Sequence, residues 1–246
     1  MGIRWSTAFL DFPASTFDAG VAFWSEVTGT TLSRFRGAND EFATLLPDSG
    51  DAWLRVQRVE SGPGGVHLDL HVEDVTTFAW RAISLGAKEE FREGEELVVL
   101  TSPGGFAFCV VGWNGEKERA DLRPGLVDQV CLDINPSAFD TEWEFWSTLT
   151  GWDATNRPES EFASLDKPEG LPLRLLLQRL DDERPGPVTA HLDLAGGDHV
   201  EDVVHRHAAL GARPFYDGAG WVTLRDPVGR EYCVTRRLPL TGRRDD

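Results

Sequence analysis

His67-Leu68-Asp69-Leu70 lies within GVHLDLHVEDV (65–75), and the same four residues return as His191-Leu192-Asp193-Leu194 within TAHLDLAGGDHVEDVV (189–204). Each copy follows an apolar run ending in Gln-Arg: LRVQRV with Gln57 and Arg58, then LRLLLQRL with Gln178 and Arg179. The copies are 124 residues apart in a chain of 246. Self-similarity at half the chain length means a duplicated unit, and it settles the architecture before single residues are weighed.

Four further blocks recur in the same order. FWSEVTG (23–29) returns as FWSTLTG (145–151), and EFATL (41–45) as EFASL (161–165). LGA at 85–87 returns at 210–212. SPGGFAFCV (102–110) returns as DPVGREYCV (226–234). Between these blocks the pattern alternates strand and helix. WSTAFLDF (5–12) reads as a strand, and a helix through Phe17, Val21, Phe23, Trp24 and Val27 ends at Gly29, a suitable C-terminal cap. EFATLLP (41–47) and AWLRVQRV (52–59) read as strands around the turn-rich PDSGD. After Gly62-Pro63-Gly64-Gly65, VHLDLHVE begins a strand, a helix covers 74–85, and ELVVLTS and FAFCVVGW close the half. The second half repeats the plan, with QVCLDI (129–134), a helix through Trp143, Phe145, Trp146 and Leu149, and a helix over 199–210. The fold class is therefore α+β. The boundaries expected are a first domain over 1–113, a polar linker over 114–125, a second domain over 126–240 and a frayed tail over 241–246.

Composition excludes several classes. The net charge is −17, from 41 acidic and 24 basic residues, so a nucleic-acid partner is not expected. An acidic field favours a cationic ligand and also serves solubility. No apolar run is long enough for a membrane span and no signal-like start is present, so a cytoplasmic protein without a membrane partner is expected. Three cysteines without a CxxC pair argue against a disulfide scaffold or a zinc knuckle.

The FW…TG helix ends, the Gln-Arg-then-HLDL junctions and the DPVGREYCV block resemble the vicinal oxygen chelate superfamily, which holds glyoxalase I, bleomycin-resistance proteins and extradiol dioxygenases. The chain is most similar to tandem glyoxalase-like domain proteins. That resemblance implies two fused domains, each of paired βαβββ modules whose strands form a U-shaped sheet around a cavity. In metal-binding members, one position on the first strand and one on the last strand of each module face that cavity. Carried over, these positions are Thr7, Gln57, His67 and Cys109 in the first half, and Gln129, Gln178, His191 and Cys233 in the second. None is a carboxylate, so no cofactor is expected. The alternative is a divalent ion on Gln129, Gln178 and His191.

Other candidates follow from strand parity. His67 and Asp69 share a face, as do His191 and Asp193, and His71 continues the first row. A histidine beside a carboxylate can serve as a general base, or the aspartates can pair with Arg55 or Arg174 inside each sheet. Glu231 lies on the same face as Cys233. Trp53 and Trp221 fall on strands that can present aromatic walls to a ligand, while Trp24, Trp143 and Trp146 read as core. The expectation is a metal-independent small-molecule-binding protein for a cationic or aromatic ligand, with a homodimer left open. The alternative is a lyase, isomerase or dioxygenase of the same superfamily with a weakly held divalent ion. The second cavity, with Gln129 in place of Thr7, has more polar groups to fix a ligand.

Overall fold

The computed structural model describes residues 2–119, 121–154 and 161–239. The expected tail, 241–246, and residue 240 lie outside them. The first half runs β1 (Trp5–Pro13), α1 (Phe17–Thr28), β2 (Thr31–Leu32), β3 (Phe42–Leu46), β4 (Leu54–Val59), β5 (Gly65–Val72), α2 (Val75–Ser84), β6 (Lys88–Glu93), β7 (Leu97–Thr101) and β8 (Ala107–Gly112). The second runs β9 (Leu126–Ile134), α3 (Phe139–Thr150), β10 (Asp153–Ala154), β11 (Phe162–Asp166), β12 (Arg174–Arg179), β13 (Thr189–Ala195), α4 (Val200–Ala209), β14 (Arg213–Gly218), β15 (Trp221–Arg225) and β16 (Glu231–Thr235). Each quarter of the chain is thus one βαβββ module. Two eight-stranded sheets result, ordered β2-β3-β4-β1-β5-β8-β7-β6 and β10-β11-β12-β9-β13-β16-β15-β14. Among the described residues, no helix is long and apolar enough to cross a membrane.

The opening strand of each repeat stands mid-sheet, which explains its near-continuous burial. In β1 the residues from Trp5 to Leu10 are all buried, Ser6 and Thr7 completely. Next to it, β5 runs parallel to β8 with Asp69 opposite Cys109, and β13 runs parallel to β16 with Asp193 opposite Cys233. This register sets the HLDL residues beside the closing-strand cysteine in both repeats.

The chain divides into two compact units that do not coincide with the repeats. One comprises residues 1–9, 66–118 and 130–190 and the other 10–65, 119–129 and 191–246. Each unit therefore packs one module of one repeat with one module of the other. In the second unit, Trp24 of α1 meets Tyr232 of β16 edge-on at 5.2 Å and donates its indole N–H to Asp226 Oδ2 at 3.0 Å. In the first unit, Trp146 of α3 meets Phe108 of β8 at 5.1 Å and donates to Glu142 Oε2 at 2.9 Å. A buried indole N–H requires an acceptor. The turn aspartate supplies it in one unit. In the other the turn carries Ser102 instead, and the helix supplies Glu142, whose carboxyl is pushed upward by burial against bonds from Gly104, Ser102 and Trp146.

Two strands depart from expectation. Neither β6, KEEFRE, nor β14, RPFYDG, stands out in the pattern. Both are almost wholly exposed sheet edges with an irregular register, so no apolar alternation marks them. Trp143 is only half-buried, whereas Trp24 and Trp146 are core.

Candidate functional site

In the second unit the site grows from Asp193. The amide of Gln129, on β9, donates to Asp193 Oδ2. His191 Nε2 lies 3.4 Å from Asp193 Oδ1, and Arg237 Nη1 lies 3.7 Å from Asp193 Oδ2. Arg237 is also held by Asp128, whose side chain it meets through Nη2 and, at 3.4 Å, through Nε. The expectation of an arginine partner for Asp193 holds in kind but not in residue. Arg174 pairs with Asp166 at 2.8 Å, and the guanidinium facing Asp193 comes from just beyond β16. Burial works against the charge on Asp193, but His191, Arg237 and Gln129 together outweigh it and hold the carboxyl below its usual range.

Cys233 Sγ lies 3.6 Å from His191 Nε2 and 3.5 Å from Thr223 Oγ1. Burial, then the charge of Asp193, pushes this thiol up, so it rests as a neutral thiol. Cys233 and Asp193 address the same ring nitrogen of His191. A nucleophilic relay needs its nucleophile and its orienting carboxylate on opposite nitrogens of the imidazole base, so this set does not form one.

The other candidates around this site separate. Glu231 lies at the solvent end of β16, half exposed and paired with Arg225 at 2.8 Å, so it does not share the surroundings of Cys233. Trp221 is half-buried and its ring lies 6.1 Å from Tyr216. Trp53 is not an aromatic wall. It is buried, and its indole donates to the Val127 carbonyl at 2.9 Å. Gln57 stands on β4 opposite Phe42. Gln178, in the first unit, donates to Glu161 Oε1 at 3.2 Å and accepts from Cys131 Sγ at 3.9 Å.

In the first unit His67 Nε2 lies 3.7 Å from Asp69 Oδ1, and the donors of His67, Asp69 and Cys109 all lie within 4.8 Å of one another. Phe9 stacks on the His67 ring at 4.4 Å and fixes its plane. Thr7, expected to face the ligand, instead shares a hydrogen bond of 2.9 Å with His71 Nε2, whose Nδ1 lies 3.6 Å from Glu116 Oε1. Both Thr7 and His71 are fully buried, so the row makes an internal polar chain.

A divalent ion of the kind the resemblance implies would, in the second unit, share Asp193 with two groups already at its carboxylate. Gln129 already donates to Asp193, and Arg237, which also meets Asp128, lies 3.7 Å from it. In the first unit three donors converge, one nitrogen, one oxygen and one sulfur, and such a set can hold an ion. Sequence reading missed Asp128, Arg237, Glu116 and Thr223. The signal available for Arg237 was the Arg-Arg pair that follows EYCVT at the end of the closing strand.

The doubled βαβββ plan is the vicinal oxygen chelate fold. A family model described as a glyoxalase-like domain matches residues 7–111 and again 129–235, and the chain belongs to that family. Among solved structures, the chain is similar to a Mn(II)-bound glyoxalase from Novosphingobium aromaticivorans (18% identity, TM-score 0.63, covering 95% of this chain and 81% of that one). It is also similar to 2,2',3-trihydroxybiphenyl 1,2-dioxygenase from Sphingomonas wittichii (12%, 0.62, covering 93% and 88%). A 2,3-dioxygenase from a Pseudomonas species aligns comparably (13%, 0.66, covering 96% and 92%). At these identities the likeness is one of fold. A search of curated proteins found no match.

Proposed function

We propose that the chain is a small-molecule-binding protein of the glyoxalase and bleomycin-resistance type, and that its second repeat takes a cationic ligand with an aromatic part, without a metal. One observation carries this reading: two buried carboxylates, Asp193 and Asp128, both face the guanidinium of Arg237 beside the partly exposed His191. A cationic group on the ligand is attracted to these two carboxylates. His191 retains some exposure, and Trp221 with Tyr216 offers aromatic surface in the same unit. The three buried free thiols suit a reducing, cytoplasmic setting.

The test is a thermal-shift screen of cationic aromatic compounds, followed by titration of variants. His191→Ala should weaken binding by about 1–3 kcal/mol, the cost of a lost buried hydrogen bond to a charged partner. His67→Ala should leave binding unchanged, and so should a chelator. Weakening by His67→Ala with His191→Ala silent would place the ligand in the first repeat.

A second reading, a lyase, isomerase or dioxygenase with a divalent ion, is favoured by the His67, Asp69 and Cys109 group and by the likeness to a Mn(II)-bound glyoxalase. An ion held by these three residues would act as a Lewis acid on a substrate oxygen. Turnover of a glyoxalase or catechol substrate that depends on added metal, and is lost in His67→Ala, would favour this reading over the first.

A further inference from the structure

We propose that Tyr216, Gly218 and Trp221 form an aromatic seat at the outer edge of the second repeat, and that this seat selects an elongated ligand whose aryl end lies several atoms from its cationic end. The proposal rests on the reading of this repeat as a cation-binding site. It adds the length of the ligand and the residues that choose it.

The strand register draws the site as one row across four strands. Asp193 on β13 stands opposite Cys233 on β16, Cys233 opposite Thr223 on β15, and Thr223 opposite Tyr216 on β14. Residues paired across neighbouring strands share a sheet face. Side-chain contacts follow the same line: His191 Nε2 lies 3.6 Å from Cys233 Sγ, which lies 3.5 Å from Thr223 Oγ1. Trp221, two residues before Thr223, falls on that face, and its ring meets the Tyr216 ring at 6.1 Å. Exposure rises along the row, from Asp193 and Cys233, both buried, through half-buried Thr223 to Tyr216, which is 55% exposed. The row thus leads from a buried charge to open aromatic surface. Three strand spacings of about 4.8 Å put its ends roughly 14 Å apart, so a compact ligand reaches only one of them. Between the ends, Cys233 and Thr223 are small and carry no charge, which suits an uncharged spacer.

Gly218 makes the seat. It stands opposite Trp221, and a Cβ there would lie 2.5 Å from the indole ring. A glycine is therefore what leaves the indole room against the edge strand. The indole and the phenol ring then meet at 39°, an open corner rather than a stacked pair. Two such ring faces can receive a third, flat ring.

The duplication supplies an internal control. In the same register of the first repeat, Phe91 stands opposite Val99 and Glu93 opposite Leu97. Phe91 matches Tyr216 and is also 55% exposed, but Leu97 replaces the indole and Glu93 the glycine. One edge aromatic is kept in both repeats, and the corner is built only in the second.

The probes are trimethylammonium ions carrying an ω-phenylalkyl chain of one to eight carbons. Each is compared with the plain alkyl ion of equal chain length by calorimetric titration of the full-length protein at fixed ionic strength. The phenyl ring should add little affinity on the shortest chains and at least about tenfold on the longer ones, where it reaches the corner. Trp221→Ala and Gly218→Ala should each remove most of that gain and leave the plain alkyl ions bound as before. His191→Ala should weaken both series alike. Should Trp221→Ala fail to fold, Tyr216→Ala, at an exposed position, decides, and it should remove at least half of the gain. A gain that is greatest for the benzyl ion, that survives these variants, or that is lost together with the binding of plain alkyl ions would overturn the proposal. Plain alkyl ions that bind through His191, with no gain from the ring at any length, would overturn the aromatic seat and leave the cationic reading standing. Absence of binding by every ion would overturn both.

Discussion

His207 is the residue whose burial makes the clearest claim on solution behaviour. It sits on α4, wholly buried, with Nδ1 3.1 Å from the Tyr232 hydroxyl and Nε2 without a hydrogen-bond partner. The Phe23 ring closes another side at 6.3 Å. Burial, and to a smaller extent the charge of Arg206, pushes its pKa down to about 4. Unfolded, it takes up a proton near 6.5. Between those values the unfolded chain binds a proton that the folded chain refuses, so stability falls as pH drops from about 6.5 to about 4 and is insensitive to this group below that. The effect reaches about 3 kcal/mol across the window. Urea denaturation of wild type and His207→Gln at pH 7 and pH 4.5 isolates it. The variant should lose much less stability than wild type on acidification, and parallel losses would mean that His207 is already protonated in the fold. The HLDL histidines and aspartates were legible because they recur in a fixed frame. His207 carries no such mark, and neither do Arg237, 109 residues from Asp128, or Glu116, 45 residues from His71. Their partners are set by packing between elements far apart in the chain, which periodicity along one strand does not report.

At the scale of elements, the two glycine helix ends form a matched pair. Gly29 after α1 and Gly151 after α3 both adopt the left-handed conformation, with φ of 54° and 64°. Their place in FW…TG made both legible, since only glycine enters that region without penalty. Their surroundings differ. A Cβ on Gly151 meets nothing within 4 Å, but one on Gly29 lies 2.6 Å from Arg123 Nη2, and that guanidinium donates to the Thr28 carbonyl. Gly151→Ala should therefore cost about 1–2 kcal/mol, the backbone penalty alone. Gly29→Ala should cost about 1 kcal/mol more, because the Arg123 contact is also displaced. Repeating both substitutions in an Arg123→Ala background tests the assignment, since the difference should then vanish. Equal costs in the original background would mean that the arginine shifts freely. The edge strands β6 and β14 mark where reading by pattern stops. Their exposed, charged sequences serve the sheet edge rather than the core, so they resemble loops until their register is seen.

At the scale of the whole molecule, the repeat that organises the sequence is not the unit that packs. Residues 114–125 join the repeats and are polar, and we propose them as the most cleavable internal segment. Trypsin should cut first at Lys117 or Arg119. Cleavage there would yield two fragments, each a complete sequence repeat, yet each compact unit draws residues from both sides of the cut. The second unit needs Trp24 from one fragment against Tyr232 and Asp226 from the other, and the first needs Phe108 against Trp146. All of these side chains but Asp226 are aromatic and fully buried, and truncating any one of the rings should cost about 3–5 kcal/mol. The nicked protein should therefore co-elute as one species on native gel filtration and separate only in denaturant. Residues 1–113 or 126–240 expressed alone should expose the faces of α1, β8, α3 and β16, and should aggregate or fold only when mixed with the complementary half. A monomeric, cooperatively melting half would mean that the contacts between modules of different repeats are dispensable, and that each repeat is a domain in its own right.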